Sequence, residues 1–184
     1  KMILVLSCKS CSSCQMFYLM NQSNIALTLQ KQALEIPNSP AIFAPTKGEY
    51  RQISFLGLHE ESNRLASGLA VLGIVREMRT LLMVPPGIEF VALTFALFKL
   101  GAIPVLIDPG IGKINLLKAI EEIEPSAMIA IPPAHAVRIL MPGPFKKTRF
   151  TVTVGRRWFW GGKTLEQVRD MGSPEFDIAP TRPD

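Results

Sequence analysis

Gly155 to Thr164 reads GRRWFWGGKT and closes on the Gly-Lys-Thr triplet that ends phosphate-binding loops. Such a loop needs G-x-x-x-x-G-K-[ST], because its tight glycine-rich turn aims backbone N–H groups at the phosphates. Counting back from Gly162, the first glycine belongs at Arg157. Gly155 makes the loop two residues too long, and Trp158, Phe159 and Trp160 crowd it. The favoured reading is a Trp-rich packing loop or one wall of an apolar pocket. A small nucleotide binder using Lys163 is the remote alternative.

Other candidates are weaker. Cys8, Cys11 and Cys14 have a spacing that suits an iron–sulfur run, but Tyr18 stands where the next Cys belongs and no fourth Cys exists. Zinc needs a fourth ligand, and His59 and His135 fall far along the chain inside expected helices. His59 sits beside Glu60 and Glu61 and reads as a surface residue. Neither histidine has a nucleophile elbow to serve, since no G-x-S-x-G exists. Gly110-Ile111-Gly112-Lys113 precedes a helix and could touch an anion, but a plain strand-to-helix turn is favoured. Asp108 lies at a strand's carboxyl end, where α/β ligands bind; Asp-Pro is more often a turn starter. Glu121 and Glu122 read as solvated.

The elements that must position these residues follow from periodicity and punctuation. Thr80 to Gly112 reads as strand, tight turn, apolar helix, glycine, strand and Gly/Pro loop, a βαβ crossover that predicts a parallel sheet. Asn24 caps a helix to about Ile36. Ala41–Ala44 and Tyr50–Ile53 form a hairpin through Lys47-Gly48. Ser54 caps a long helix that Gly73 ends, with Glu60, Glu61 and Arg64 facing out. Gly68 lies within that helix at a cost of about 1 kcal/mol against Ala, which close packing explains. Strands follow at Leu81–Val84, Ile103–Ile107, Ala127–Ile131 and Thr151–Val154. Helices follow at Ile88–Leu100, Asn115–Glu124, His135–Leu140 and Leu165–Met171.

The chain has 184 residues, 48% apolar and 19% charged, which is globular composition. The run Ile88–Ile107 carries Glu89 and Lys99 and breaks at Gly101 and Pro104, unlike the roughly 20 apolar residues of a membrane helix. From Arg138 to Arg169 there are eight Lys/Arg and one acid, Glu166, within a net charge of +5. No nucleic-acid module accompanies them, so a solvated surface is favoured. Residues 1–20 read as a leader, disordered or not native; residues 21–172 as the folded domain; and residues 173–184 as a linker. An odd Cys count with no export signal points to the cytoplasm.

Two stretches then resemble a family. YRQISFLGLHEESNRLASGLAVLGI is similar to the opening helix of adenylate-forming enzymes, the acyl-CoA synthetase superfamily. FKLGAIPVLIDP resembles their second core motif. LTFALFKLGAIPVLIDPGIG and TVTVGRRWFWGG look like the fatty acyl-CoA ligase-like branch that forms β-lactones in olefin synthesis. One departure is Arg76-Glu77-Met78, where the superfamily often shows a Gly-Asp pair. The resemblance implies an α/β fold: a layered, mostly parallel sheet with flanking helices, an incomplete N-terminal subdomain of the adenylate-forming fold. It implies ATP and Mg as cofactors and a fatty acid, in particular a β-hydroxy acid, as substrate. The carboxylate would become an acyl-adenylate with loss of pyrophosphate. AMP would then leave to the substrate's own β-hydroxyl or to coenzyme A.

The family's phosphate loop, ATP-contacting aromatic, ribose-binding Asp, hinge and catalytic Lys match no part of this sequence. The tail DIAPTRPD resembles the lead-in to that loop. No catalytic, cofactor-binding or metal-ligating residue is therefore assigned, and these residues are expected to be inactive alone. The alternative is a non-enzymatic fragment binding a protein partner through an exposed sheet edge and apolar faces.

Overall fold

The computed structural model describes residues 24–46 and 49–181. The Lys47-Gly48 turn, the expected leader and the three cysteines lie outside the described residues. Strands β1 (Pro40–Thr46) and β2 (Glu49–Ser54) pair antiparallel. The main sheet holds β3 (Arg79–Met83), β4 (Ile103–Val105), β5 (Ala127–Ala130), β6 (Phe150–Thr153) and β7 (Lys163–Thr164) in the order β4-β3-β5-β6-β7. Every pairing in it is parallel. The expected parallel α/β sheet is thus present. The expected strand Ile103–Ile107 is shorter, because this edge strand pairs only with Arg79–Leu81.

The helices are α1 (Ala26–Glu35), α2 (Phe55–Leu72), α3 (Ile88–Leu100), α4 (Lys113–Ile123), α5 (Pro132–Leu140) and α6 (Leu165–Met171). Local chemistry sets their ends. Ser54 Oγ accepts from the Gly57 N–H, and Gly73 ends α2 at φ 103°. Asn24 Oδ1 accepts from the Ala26 N–H at the start of α1. Alternation along the strands splits the core. Leu82, Ile129 and Val152 face α2, α3 and α6, while Leu81, Met128 and Ala130 face Ile120 of α4 and Ala134 of α5. α3 lies between the sheet and α2, which suits its nearly uniform apolar sequence.

Gly68 is where α2 meets α6: a Cβ there would lie 1.9 Å from the Val168 carbonyl oxygen. Residues 173–181 form no helix or strand, yet Phe176 packs against the core and the Ala179 N–H donates to Lys99 O at 2.7 Å.

Candidate functional site

The order β4-β3-β5 means the chain steps one way after β3 and the other way after β4. Such reversals open a crevice at the carboxyl ends of parallel strands. A cleft of about 680 Å³ lies there, against the Val84–Gly87 turn that follows β3 and Val154 that follows β6. The hairpin closes one side through Arg51 and Ile53, and α2 closes another through Glu60, Glu61 and Arg64. Glu61, expected to face out, is instead 19% exposed and pairs with Arg169 Nε at 2.5 Å. That packing follows from the α2–α6 contact at Gly68. The cleft carries charges of both signs, Arg51, Arg64 and Arg169 with Glu60, Glu61 and Glu89, beside apolar residues such as Ile53, Val84 and Ile88. Among the described residues no hydroxyl or thiol nucleophile lines it.

The sequence-marked residues do not converge on this cleft. Asp108 Oδ1 accepts from the Gly110 N–H at 2.8 Å, so it starts a turn, and Glu121 and Glu122 are exposed. The Gly110–Gly112 stretch leads into α4 as a plain strand-to-helix turn. Lys163 belongs to β7, paired beside Val152, and the N–H groups opening α6 are used by a capping box between Thr164 and Gln167. In the 155–162 loop one aromatic packs inward, while Trp158 and Phe159 are exposed. Trp160 is buried, donates from Nε1 to Thr153 Oγ1 at 3.0 Å, and stacks on His135 with ring centroids 5.6 Å apart. Gly162 is required there, since a Cβ would fall 2.2 Å from Thr151 Oγ1.

His135 lies in the short helix expected for it, whereas His59 departs from its sequence reading. His135 is fully buried and donates from Nε2 to Val152 O at 3.0 Å, which leaves Nδ1 without a partner. Burial keeps its pKa below the usual value. His59 is not a surface residue. It is half-buried, within 3.3 Å of Lys99 Nζ at Nδ1, and burial followed by the Lys99 charge pushes its pKa down to about 4. The helical turn aims it at α3, while Glu60 next to it points to solvent.

Lys99 is the residue sequence reasoning missed. It is 0% exposed, donates to Asn63 Oδ1 at 2.6 Å and to His59 O at 2.8 Å, and burial pushes its pKa down to about 7. The available signal was a lysine in a helix otherwise apolar on every side. It reads as an interruption unless His59 and Asn63 are seen as one face of α2.

The family described as AMP-binding enzyme matches residues 29–171. The chain belongs to that family. It is 42% identical over 163 residues to the olefin beta-lactone synthetase of Stenotrophomonas maltophilia (strain K279a), covering 82% of this chain and 28% of that protein. The olefin beta-lactone synthetase of Xanthomonas campestris pv. campestris is 41% identical over 169 residues, covering 88% and 30%. The chain thus spans less than a third of these curated relatives. Among solved structures, an anthranilate CoA ligase in complex with anthranoyl-AMP superposes with TM-score 0.78 at 18% identity, over 88% of this chain and 30% of that one. A long-chain-fatty-acid-CoA ligase from Archaeoglobus fulgidus gives 0.75 at 21% identity, over 88% and 32%. These likenesses establish the fold as the N-terminal part of an adenylate-forming ligase domain.

ATP and Mg serve this family in general. Among the described residues no three His, Cys, Asp or Glu side chains gather as a metal requires, and the turn before α6 is closed by its own cap. Among the described residues, no helix is long and apolar enough to cross a membrane.

Proposed function

We propose that these residues are the N-terminal part of an ATP-dependent, AMP-forming ligase that activates a β-hydroxy fatty acid. The acyl-adenylate is then closed to a β-lactone or passed to coenzyme A. In the closure the β-hydroxyl oxygen bonds to the acyl carbon, the bond to AMP breaks and the hydroxyl proton leaves. The observation that carries the reading is the 42% identity, over most of the chain, to an olefin beta-lactone synthetase. The segment's part is architectural. It supplies a five-stranded parallel sheet and the crevice at its carboxyl ends, with Arg51 and Arg64 on the crevice wall. Stabilising the transferring phosphates needs donors and metal ligands from other polypeptide, because electrostatic preorganisation is the main term in such chemistry. The reaction takes place in the cytoplasm.

The test is pyrophosphate release by the full-length protein given ATP, Mg and a β-hydroxy fatty acid. A β-hydroxy acid should give pyrophosphate and lactone or thioester. The same acid without its hydroxyl should give pyrophosphate and no lactone. Absence of pyrophosphate with every acid tried overturns the reading. Residues 1–184 alone should release none; release by them sinks the claim that the phosphate-gripping groups lie elsewhere.

A further inference from the structure

The Lys99 cluster admits one proton count in which every close polar pair is a hydrogen bond. The amide of Asn63 is oriented by Pro174: its Nδ2 donates to Pro174 O at 2.7 Å, so Oδ1 faces Lys99 Nζ at 2.6 Å. The second Nδ2 proton points at His59 Nε2, 3.3 Å away, which must accept it. A neutral imidazole that accepts at Nε2 carries its proton at Nδ1. That Nδ1–H faces Lys99 Nζ at 3.3 Å, so Nζ must offer a lone pair. An ammonium has none; a neutral amine has one, plus two N–H groups for Asn63 Oδ1 and His59 O. Every donor then meets an acceptor.

The same cluster holds the outgoing segment. Pro174 O is bound by Asn63, the Ala179 N–H donates to Lys99 O at 2.7 Å, and Asn24 Nδ2 donates to Ala179 O at 2.9 Å. We infer that Lys99 is held as a neutral amine, that Lys99, His59 and Asn63 form a latch on residues 174–179, and that protonating Lys99 releases that segment. An added proton on Nζ opposes His59 Nδ1–H. The imidazole must then move its proton to Nε2, where it opposes the Asn63 amide and displaces it from Pro174.

No carboxylate offsets a charge on Lys99 among the described residues. Of the titratable groups on α2 His59 alone reaches it; Glu60 is exposed and Glu61 is taken by Arg169. Glu175 and Asp177 of the segment are exposed and hold no bond to it. Lys31 pairs with Glu35 on α1, and Arg76 with Glu77 before β3. The burial that pushes Lys99 from 10.5 down to about 7 agrees with the proton count. The sign follows. Between those values the unfolded chain holds the proton and the native one does not, so stability rises with pH. Below about 7 the cost of the buried charge is fully present. His59, at about 4, titrates in a separate, lower window.

The experiment uses the full-length protein and needs no activity. Amide exchange over residues 174–181 is followed from about pH 6 to 9 and corrected for intrinsic rates, beside the Lys99 Cε resonance. Protection of the segment should rise about tenfold through the same transition as Lys99 and stay well below that of β5, whose own protection rises only with global stability. In Asn63→Asp, the Lys99 transition should move up by about two pH units and the step in segment protection should vanish from the range. Lys99 titrating above about pH 9.5 in the wild type overturns the proposal. Flat protection through its transition, or segment protection equal to that of β5 at every pH, overturns the latch.

Discussion

The two faces of the main sheet are built differently. One carries two layers of helix: α3 packs on the strands, and α2, with α1 and α6, packs on α3 or beside it. Leu65, Leu69, Leu93 and Leu97 are fully buried there. The other face carries a single layer, in which Ile120 is the one buried residue of α4 while Ile114 is 72% and Leu140 of α5 80% exposed. Depth sets what a helix sequence looks like. A helix covered on both sides is apolar all round, so α3 carries no polar face, whereas α4 and α5 are amphipathic. It also sets where a charge is hard to place, and Lys99 is the price of one on the deep side.

The contrast predicts a gradient of mutational cost. Leu97→Ala, in the middle of the deep face, should cost about 2–5 kcal/mol by denaturant unfolding. Ile120→Ala on the thin face should sit at the low end of that range, because neighbours beside solvent relax into the gap more easily. Equal costs would break the comparison. Gly68→Ala should cost about 1–3 kcal/mol or more, since the new methyl meets backbone rather than a movable side chain. A loss confined to exchange protection in α6, with α2 unchanged, would sharpen the picture by showing that α6 yields first.

What the sequence disclosed follows the same division between near and far. Ser54, Gly73 and Gly101 marked helix ends correctly because a cap is made by residues a few positions apart. Parallel strands and their crossovers were legible from alternation between apolar runs and glycine. The Trp-rich loop was legible as packing, because the missing glycine and three aromatics argued against phosphate. The cleft was not legible, since its walls come from the hairpin, α2, the turn after β3 and Arg169. His59 was misread because its sequence neighbours, Glu60 and Glu61, are poor guides to a side chain a third of a helical turn away. Lys99 was invisible for the same reason: its partners lie 36 and 40 residues earlier. In the Arg76-Glu77 loop, Glu77 adopts φ 63°, a left-handed conformation that glycine takes without strain.

The smallest expected effect is the most discriminating for the thin face. In residues 1–184 alone, Ile114→Ser and Leu140→Ser should change stability by less than about 0.5 kcal/mol, because both side chains already stand in water. The same two substitutions in the full-length protein ask whether that face stays thin. A cost still near zero means α4 and α5 form an outer surface of the full-length protein, and the asymmetry belongs to the whole of it. A cost of about 1.5–3 kcal/mol means other polypeptide covers them, as full burial of an aliphatic side chain requires. In that case the two faces differ only until the rest of the chain has docked, and the shallow side is an internal seam.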